Sequence, residues 1–330
     1  MKTCAKCVLP ETFPGIRFND EGVCNYCLEF KGKRDLKARK ADYRARFEKL
    51  IAEHRGRFGY DALMSYSGGK DSTYTLTLLR ESYDLNVLAV TLDNGFMPEQ
   101  TTKNIRLMSE RLGFDHILYR PRFDVLKKIF SASMLKDLFP LKTLNRASSI
   151  CTSCISLVKF FTLRTAVEKS IPLLAFGWSP GQIPMASSIL ANNPDMVKAS
   201  QKVLFEPLHK LAGDAIRPYF LEEAHFRPSC RFPVNVSPLA FFDYDEEKIM
   251  EKIKGLGWIA PGKVDANSTN CLLNSLANSV HRERHGFHPY AFEMAKLVRE
   301  GYLDRRTALE KLNKAEDPAT VEAVKKKLSS

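Results

Sequence analysis

The run Ser67-Gly68-Gly69-Lys70-Asp71-Ser72 follows directly from the apolar segment Leu63-Met64-Ser65-Tyr66. Read as a strand, a glycine turn and a helix, it points several backbone N–H groups and a helix N-terminus at one spot, a geometry that binds phosphate. The glycines let the backbone approach a pyrophosphate. Lys70 can neutralise oxygens as charge moves to a leaving group, and Asp71 can hold Mg2+. Ser67 and Ser72 complete the cradle. A Walker loop needs a longer glycine spacing and a terminal Gly-Lys-Ser/Thr, so this is a different phosphate-binding device. A plain polar turn would not need all six positions filled in this way.

Cysteine spacing supplies two further constellations. Cys4, Cys7, Cys24 and Cys27 form two CxxC pairs separated by sixteen residues, which can deliver four thiolates to the corners of a tetrahedron, as in structural Zn2+ knuckles. A closed four-thiolate site leaves no position for chemistry, so its work is to fold about thirty residues that lack a core of their own. A redox CxxC is the competing reading. The second constellation is Cys151 and Cys154, three apart on a helix and so on one face, with Cys271 as partner. Cys271, Asn274, Asn278, His281 and His285 recur at steps of three and four, a polar stripe expected to line a cleft. Three cysteines without a fourth suit an iron–sulfur cluster with one open iron, a persulfide-carrying thiol pair, or simply buried small side chains. Cys230, between Arg227 and Arg231, is an alternative third ligand.

The elements that position these groups alternate. Strands are expected at 61–66, 86–92, 116–120 and 171–176, and helices at 72–81, 100–112 and 150–169. This rhythm implies a doubly wound α/β parallel sheet covered on both faces. Asp93-Asn94-Gly95 and Gly177-Trp178-Ser179 both follow strands, at the carboxyl ends where such sheets bind ligands, so Asp93 and Gly177 join the cofactor-binding candidates. After about Ala212 the pattern changes to a strand-like stretch at 233–242, a helix at 245–256 and further helical segments. The expected organisation is a zinc ribbon over 1–30, a basic linker helix over 31–58, the nucleotide domain over 59–212 and a mostly helical substrate region over 213–330.

The chain has 330 residues and a formal net charge of +12. Between Lys31 and Arg57 eleven Lys or Arg face four Asp or Glu, and Leu36, Tyr43, Phe47, Leu50 and Ile51 fall at helical spacing. Such a stripe could hold tRNA or another phosphate-rich partner, or could be a solvated linker. Lys2, Cys4 and Lys6 interrupt any apolar start, and no apolar run approaching the roughly 20 residues of a bilayer span is expected. The expectation is a cytoplasmic protein with no membrane partner.

The six-residue motif resembles the signature of the PP-loop ATP pyrophosphatases, adenine nucleotide alpha-hydrolase-like proteins of HUP-like fold. That resemblance implies cleavage of ATP between the α and β phosphates. Within it, the order Cys151, Cys154, Pro238-Leu239, Cys271 is similar to the tRNA 2-thiolation enzymes, where such a trio implies a [4Fe–4S] cluster and a sulfur donor. The chain departs from them at Gly177-Trp178-Ser179, where they carry Gly-His-Asn. The segment Cys4 to Cys27, Asp93-Asn94-Gly95-Phe96 and the tail from Leu297 to Ala308 are similar to the N-acetyl sugar amidotransferases, which implies an N-acetyl sugar nucleotide as acceptor and ammonia from a partner glutaminase. The shared expectation is an enzyme that adenylates a carbonyl or amide oxygen, releases pyrophosphate and then introduces sulfur, with Lys70, Asp71, Cys151, Cys154 and Cys271 as its catalytic residues. Nitrogen is the alternative transferred atom, and a non-catalytic nucleotide- or RNA-binding module is a third.

Overall fold

A computed structural model describes every residue except Met1, Lys31, Lys33, Ala266 and Ser330. Counting helices of eight residues or more, the chain runs α1 (Arg34–His54), β1 (Ala62–Ser65), α2 (Lys70–Thr77), β2 (Val87–Leu92), α3 (Glu99–Leu112), β3 (Asp115–Tyr119), α4 (Phe123–Leu135), α5 (Ser149–Glu168), β4 (Leu173–Phe176), β5 (Ile189–Ala191), α6 (Pro194–Ala212), β6 (Val234–Val236), α7 (Glu246–Gly255), α8 (Leu273–His285), α9 (Ala291–Glu300), α10 (Arg305–Asn313) and α11 (Pro318–Ser329). The sheet order is β3-β2-β1-β4-β6-β5. All neighbours pair in parallel except β5, which runs antiparallel to β6 at the edge.

Both faces of the sheet are covered, as parallel strands require. Alternation along β1 sends Leu63 into one core with Leu88, Val90 and Leu174 beneath α4 and α5. It sends Met64 into the other, with Val87, Ala89 and Leu173 against Leu76, Met108, Phe47 and Trp258. A third core joins the N-terminal cysteine segment to α9 and α10 through Leu9, Phe13, Met294 and Leu312.

Three expectations change here. The strand at 234–236, placed by the sequence beyond the nucleotide domain, pairs with β4 and belongs to the same sheet. The basic segment is not a free linker, because Phe47 is fully buried and packs on Phe241 and Tyr83. Lys31 and Lys33 lie outside the described residues. Finally, α5 is long and apolar enough to cross a membrane, against the expectation that no such stretch exists. It serves as a core helix, with Ile150, Leu157, Phe160 and Leu163 buried under the sheet.

Candidate active site

The chain leaves β1 towards β2 and β3 on one side of the sheet, while β4 and its partners lie on the other. The reversal between β1 and β4 opens a crevice at their carboxyl ends, where open α/β sheets bind ligands. The glycine turn fills it. Gly68 has φ +74°, a conformation that suits glycine, and a Cβ there would sit 2.7 Å from Thr101 Cγ2. Its carbonyl accepts the indole N–H of the buried Trp258 at 3.1 Å. Ser67 and Ser72 hydroxyls are 2.9 Å apart. The Lys70 backbone N–H, at the start of α2, donates to Thr269 Oγ1 at 3.1 Å, so one of the helix's first amides already holds an oxygen, as it would a phosphate oxygen.

Lys70 is buried. Its ammonium meets both oxygens of Asp71 at 2.9 and 3.0 Å and the Tyr244 hydroxyl at 3.0 Å, with Glu246 at 3.9 Å. Burial alone would lower its pKa, but Asp71, Tyr244 and Glu246 outweigh it and hold the pKa raised. The lysine is a fixed positive charge at the floor of the cleft. Glu246 in turn binds Lys311 at 2.6 Å, which ties this network to α10.

The cleft, about 260 Å³, runs from the glycine turn to the core cysteines: Cys151, Cys154 and Cys271 line it together with Lys70, Asp71 and Gly177. Cys154 and Cys271 each accept from the side-chain amide of Asn94, at 3.4 and 3.3 Å. Cys151 Sγ lies 3.3 Å from Asn274 Oδ1. Burial pushes the Cys151 and Cys154 thiols up to about 12 and raises Cys271 as well. Without a cation these sulfurs are held as thiols and are poor nucleophiles. The three sulfurs are not all within 4.8 Å of one another, a spread too wide for one tetrahedral ion.

The N-terminal set differs. Cys4, Cys7, Cys24 and Cys27 do lie within 4.8 Å of one another, with Cys4–Cys27 at 3.9 Å and Cys7–Cys24 at 3.7 Å. A tetrahedral ion with sulfur bonds of about 2.3 Å needs edges of about 3.8 Å. Backbone N–H groups of Cys7 and Cys24 donate to Cys4 Sγ at 3.4 and 3.3 Å, and Arg305 clasps the Cys4 and Cys7 carbonyls from α10.

No family model matches the chain. It is 22% identical over 262 residues to an uncharacterized protein of Methanocaldococcus jannaschii, covering 79% of this chain and 76% of that protein. Among solved structures it is similar to the U34-tRNA thiolase NcsA of Methanococcus maripaludis with its [4Fe–4S] cluster, at 18% identity and TM-score 0.37 over 94% of this chain and 89% of that one. It is also similar to NMN synthetase of Francisella tularensis, at 13% identity and TM-score 0.36 over 82% of this chain and 96% of that one.

Several site residues sit differently from their sequence reading. Asp93 does not line the cleft: its carboxylate accepts from Gly95 N–H and pairs with Arg120 at 2.8 Å. Its neighbour Asn94 faces the thiols instead. Cys271 lies in the turn before α8 rather than on the helix. The stripe then divides: Asn274 enters the cleft, while His281 and His285 pack against each other at a tilt, with Phe287 edge-on to His281. Cys230 lies outside the cleft, its thiol donating to the Ala224 carbonyl at 3.5 Å. Gly177 is where the sequence put it, but its role is steric, because a Cβ would meet Ser72 Cα at 2.6 Å.

Sequence reasoning missed a second chamber of about 350 Å³ that shares Cys151, Lys159, Trp178, Asn274 and Tyr290 with the cleft. Glu293 lines it, partly buried, accepting from Ser179 Oγ at 2.8 Å, and burial raises its pKa to about 7. Nothing in the sequence sets Glu293 apart from the other charged residues of α9, Lys296, Arg299 and Glu300.

Proposed function

We propose that the chain is an ATP-dependent adenylating enzyme that replaces a carbonyl or amide oxygen of its acceptor by sulfur. The observation that carries this reading is the meeting of a phosphate-binding glycine turn and three cysteines in one cleft, from segments as distant as Lys70 and Cys271. Backbone N–H groups at the start of α2 and the Lys70 ammonium would hold the β and γ phosphates, and the acceptor oxygen would attack the α phosphate as pyrophosphate leaves. Adenylation converts a poor leaving oxygen into AMP, which a sulfur nucleophile can displace. Asp71 would hold Mg2+, which supplies positive charge beside the departing pyrophosphate. Cys151, Cys154 and Cys271 would hold a [4Fe–4S] cluster, whose unliganded iron supplies an open position for sulfur. Cys4, Cys7, Cys24 and Cys27 would hold Zn2+, whose work is structural. The basic face of α1 makes tRNA the favoured acceptor.

One observation favours nitrogen instead. The chamber beside Cys151 and Glu293 adjoins the cleft and could pass ammonia from a glutaminase to an adenylated acetamido group. The two readings separate in one assay, with oxygen-free protein, Mg-ATP, labelled sulfide or ammonium, and either bulk tRNA or an acetamido sugar nucleotide. Sulfur transfer predicts AMP and pyrophosphate in equal amounts, label in the tRNA, and loss of transfer in Cys151→Ala. Release of ADP and phosphate would sink both readings, and labelling from ammonium that survives Cys151→Ala would replace sulfur by nitrogen.

A further inference from the structure

Among the described residues, one cluster outside the cleft and the N-terminal cysteines brings metal-ligating atoms together. Asp265, His288 and Glu316 offer two carboxylate oxygens and an imidazole nitrogen within 4.8 Å of one another. They come from three separate segments: the approach to α8, the α8–α9 turn and the approach to α11. Asp265 and His288 are 8% and 5% exposed, and the Glu316 side chain is 10% exposed. His288 Nε2 is buried without a hydrogen-bond partner and faces Glu316 Oε1 at 4.0 Å, too long for a hydrogen bond. The Asn278 side-chain amide donates to Glu316 Oε1 at 2.9 Å and fixes that carboxylate. The Asn267 backbone N–H does the same for Asp265 at 2.7 Å.

We infer that Asp265, His288 and Glu316 form a second metal site, for a divalent ion that accepts mixed oxygen and nitrogen ligands. Buried carboxylates gathered round an unpartnered imidazole nitrogen are what such an ion stabilises. The amides that hold the carboxylates are the outer ligands such sites use for orientation. One imidazole and two carboxylates suit zinc or manganese, with water in the remaining positions. Binding has one local consequence. Tyr290 N–H donates to His288 Nδ1 at 3.2 Å, so the ring proton of the metal-free imidazole is on Nε2. Loading the ion moves that proton to Nδ1 and gives up this long hydrogen bond for a metal–nitrogen bond.

The site's position gives it a purpose. Asp265 heads the segment that carries Thr269 and Cys271, and His288 lies two residues before Tyr290, which lines the cleft. An ion here pins that segment over the glycine turn. The inference stands independently of the sulfur-transfer reading, since it concerns metal binding and not the reaction.

The test is the divalent-metal content of the full chain after equilibration with Mn2+ and gel filtration, with zinc and manganese summed and iron counted apart. Mn2+ disfavours thiolates, so bound manganese reports the carboxylate site. The wild type is expected to hold a second equivalent beyond that of the N-terminal cysteines, as zinc or as manganese. Glu316→Gln and His288→Ala should each lose that equivalent and keep the first. A wild type with one equivalent and no bound manganese would overturn the inference, as would a folded Glu316→Gln variant that retains both. Should both variants misfold, the wild-type stoichiometry decides alone.

Discussion

Gly177→Ala is the sharpest probe of how the cleft is built. In the wild type, β4 ends against the first turn of α2 so closely that a Cβ on residue 177 would lie 2.6 Å from Ser72 Cα, 2.7 Å from Ser72 N and 3.0 Å from Asp71 C. All three are backbone atoms, so no side-chain rotation relieves the contact. Ordinary contact begins at 3.4 Å, which leaves a shortfall of about 0.8 Å for β4 and α2 to absorb. Overpacking of this kind costs about 1–3 kcal/mol. Moving the phosphate-binding amides by about 1 Å costs on the order of 100-fold in a reaction that depends on positioning. Urea denaturation should show the stability loss, and calorimetric titration with Mg-ATP should show weakened binding. Gly255→Ala is the control: a Cβ there meets nothing within 4 Å, so stability should hold or rise by about 0.5–1 kcal/mol. A Gly177→Ala protein with wild-type stability and wild-type ATP affinity would refute the close approach on which the site rests.

Two other substitutions probe the surroundings of the cleft. Glu293 has its pKa raised to about 7 by burial. The folded state therefore keeps a proton that the unfolded chain releases near pH 4.5, and stability present below that pH is lost as pH rises through about 7, by about 3 kcal/mol. Glu293→Gln should remove this slope, so that the variant gains on the wild type in urea denaturation between pH 5 and pH 8; parallel curves would show that the carboxyl is not buried as described. Trp258→Phe keeps the packing but leaves the Gly68 carbonyl without its 3.1 Å donor. It should cost about 1–3 kcal/mol and weaken Mg-ATP binding, measured by the same two methods.

The parts of this molecule that were legible in the sequence are those set by local pattern. Strands and helices from Asp61 to Phe176, α4 (Phe123–Leu135) excepted, declare themselves because apolar period and glycine turns change together at their boundaries, and the glycine loop sits where its spacing says. What stayed hidden depends on contacts between distant segments. Val234–Val236 is three residues long, and only its register against Leu173–Ala175 makes it an inner strand. Cys271 reads as helical from its spacing, yet α8 begins at Leu273, and the thiol reaches the cleft from the preceding turn beside Asn94. Trp258 and Tyr244 carry no motif, and they matter because the fold returns them to the glycine turn from more than 170 residues away; Glu293, also without a motif, meets Ser179 in the neighbouring chamber. Asp93 and Asn94 differ only in which way one turn presents them, which composition cannot tell.

The proposed sulfur transfer requires the cleft cysteines to act as one set beside a nucleotide held at the glycine turn. The most direct measurement is iron, labile sulfide and visible absorbance of protein purified without oxygen, wild type beside Cys151→Ala/Cys154→Ala. The account predicts iron and sulfide with a broad absorbance near 400 nm in the wild type, lost in the variant while the zinc of the N-terminal cysteines stays. Zinc alone, unchanged between the two proteins, would contradict it.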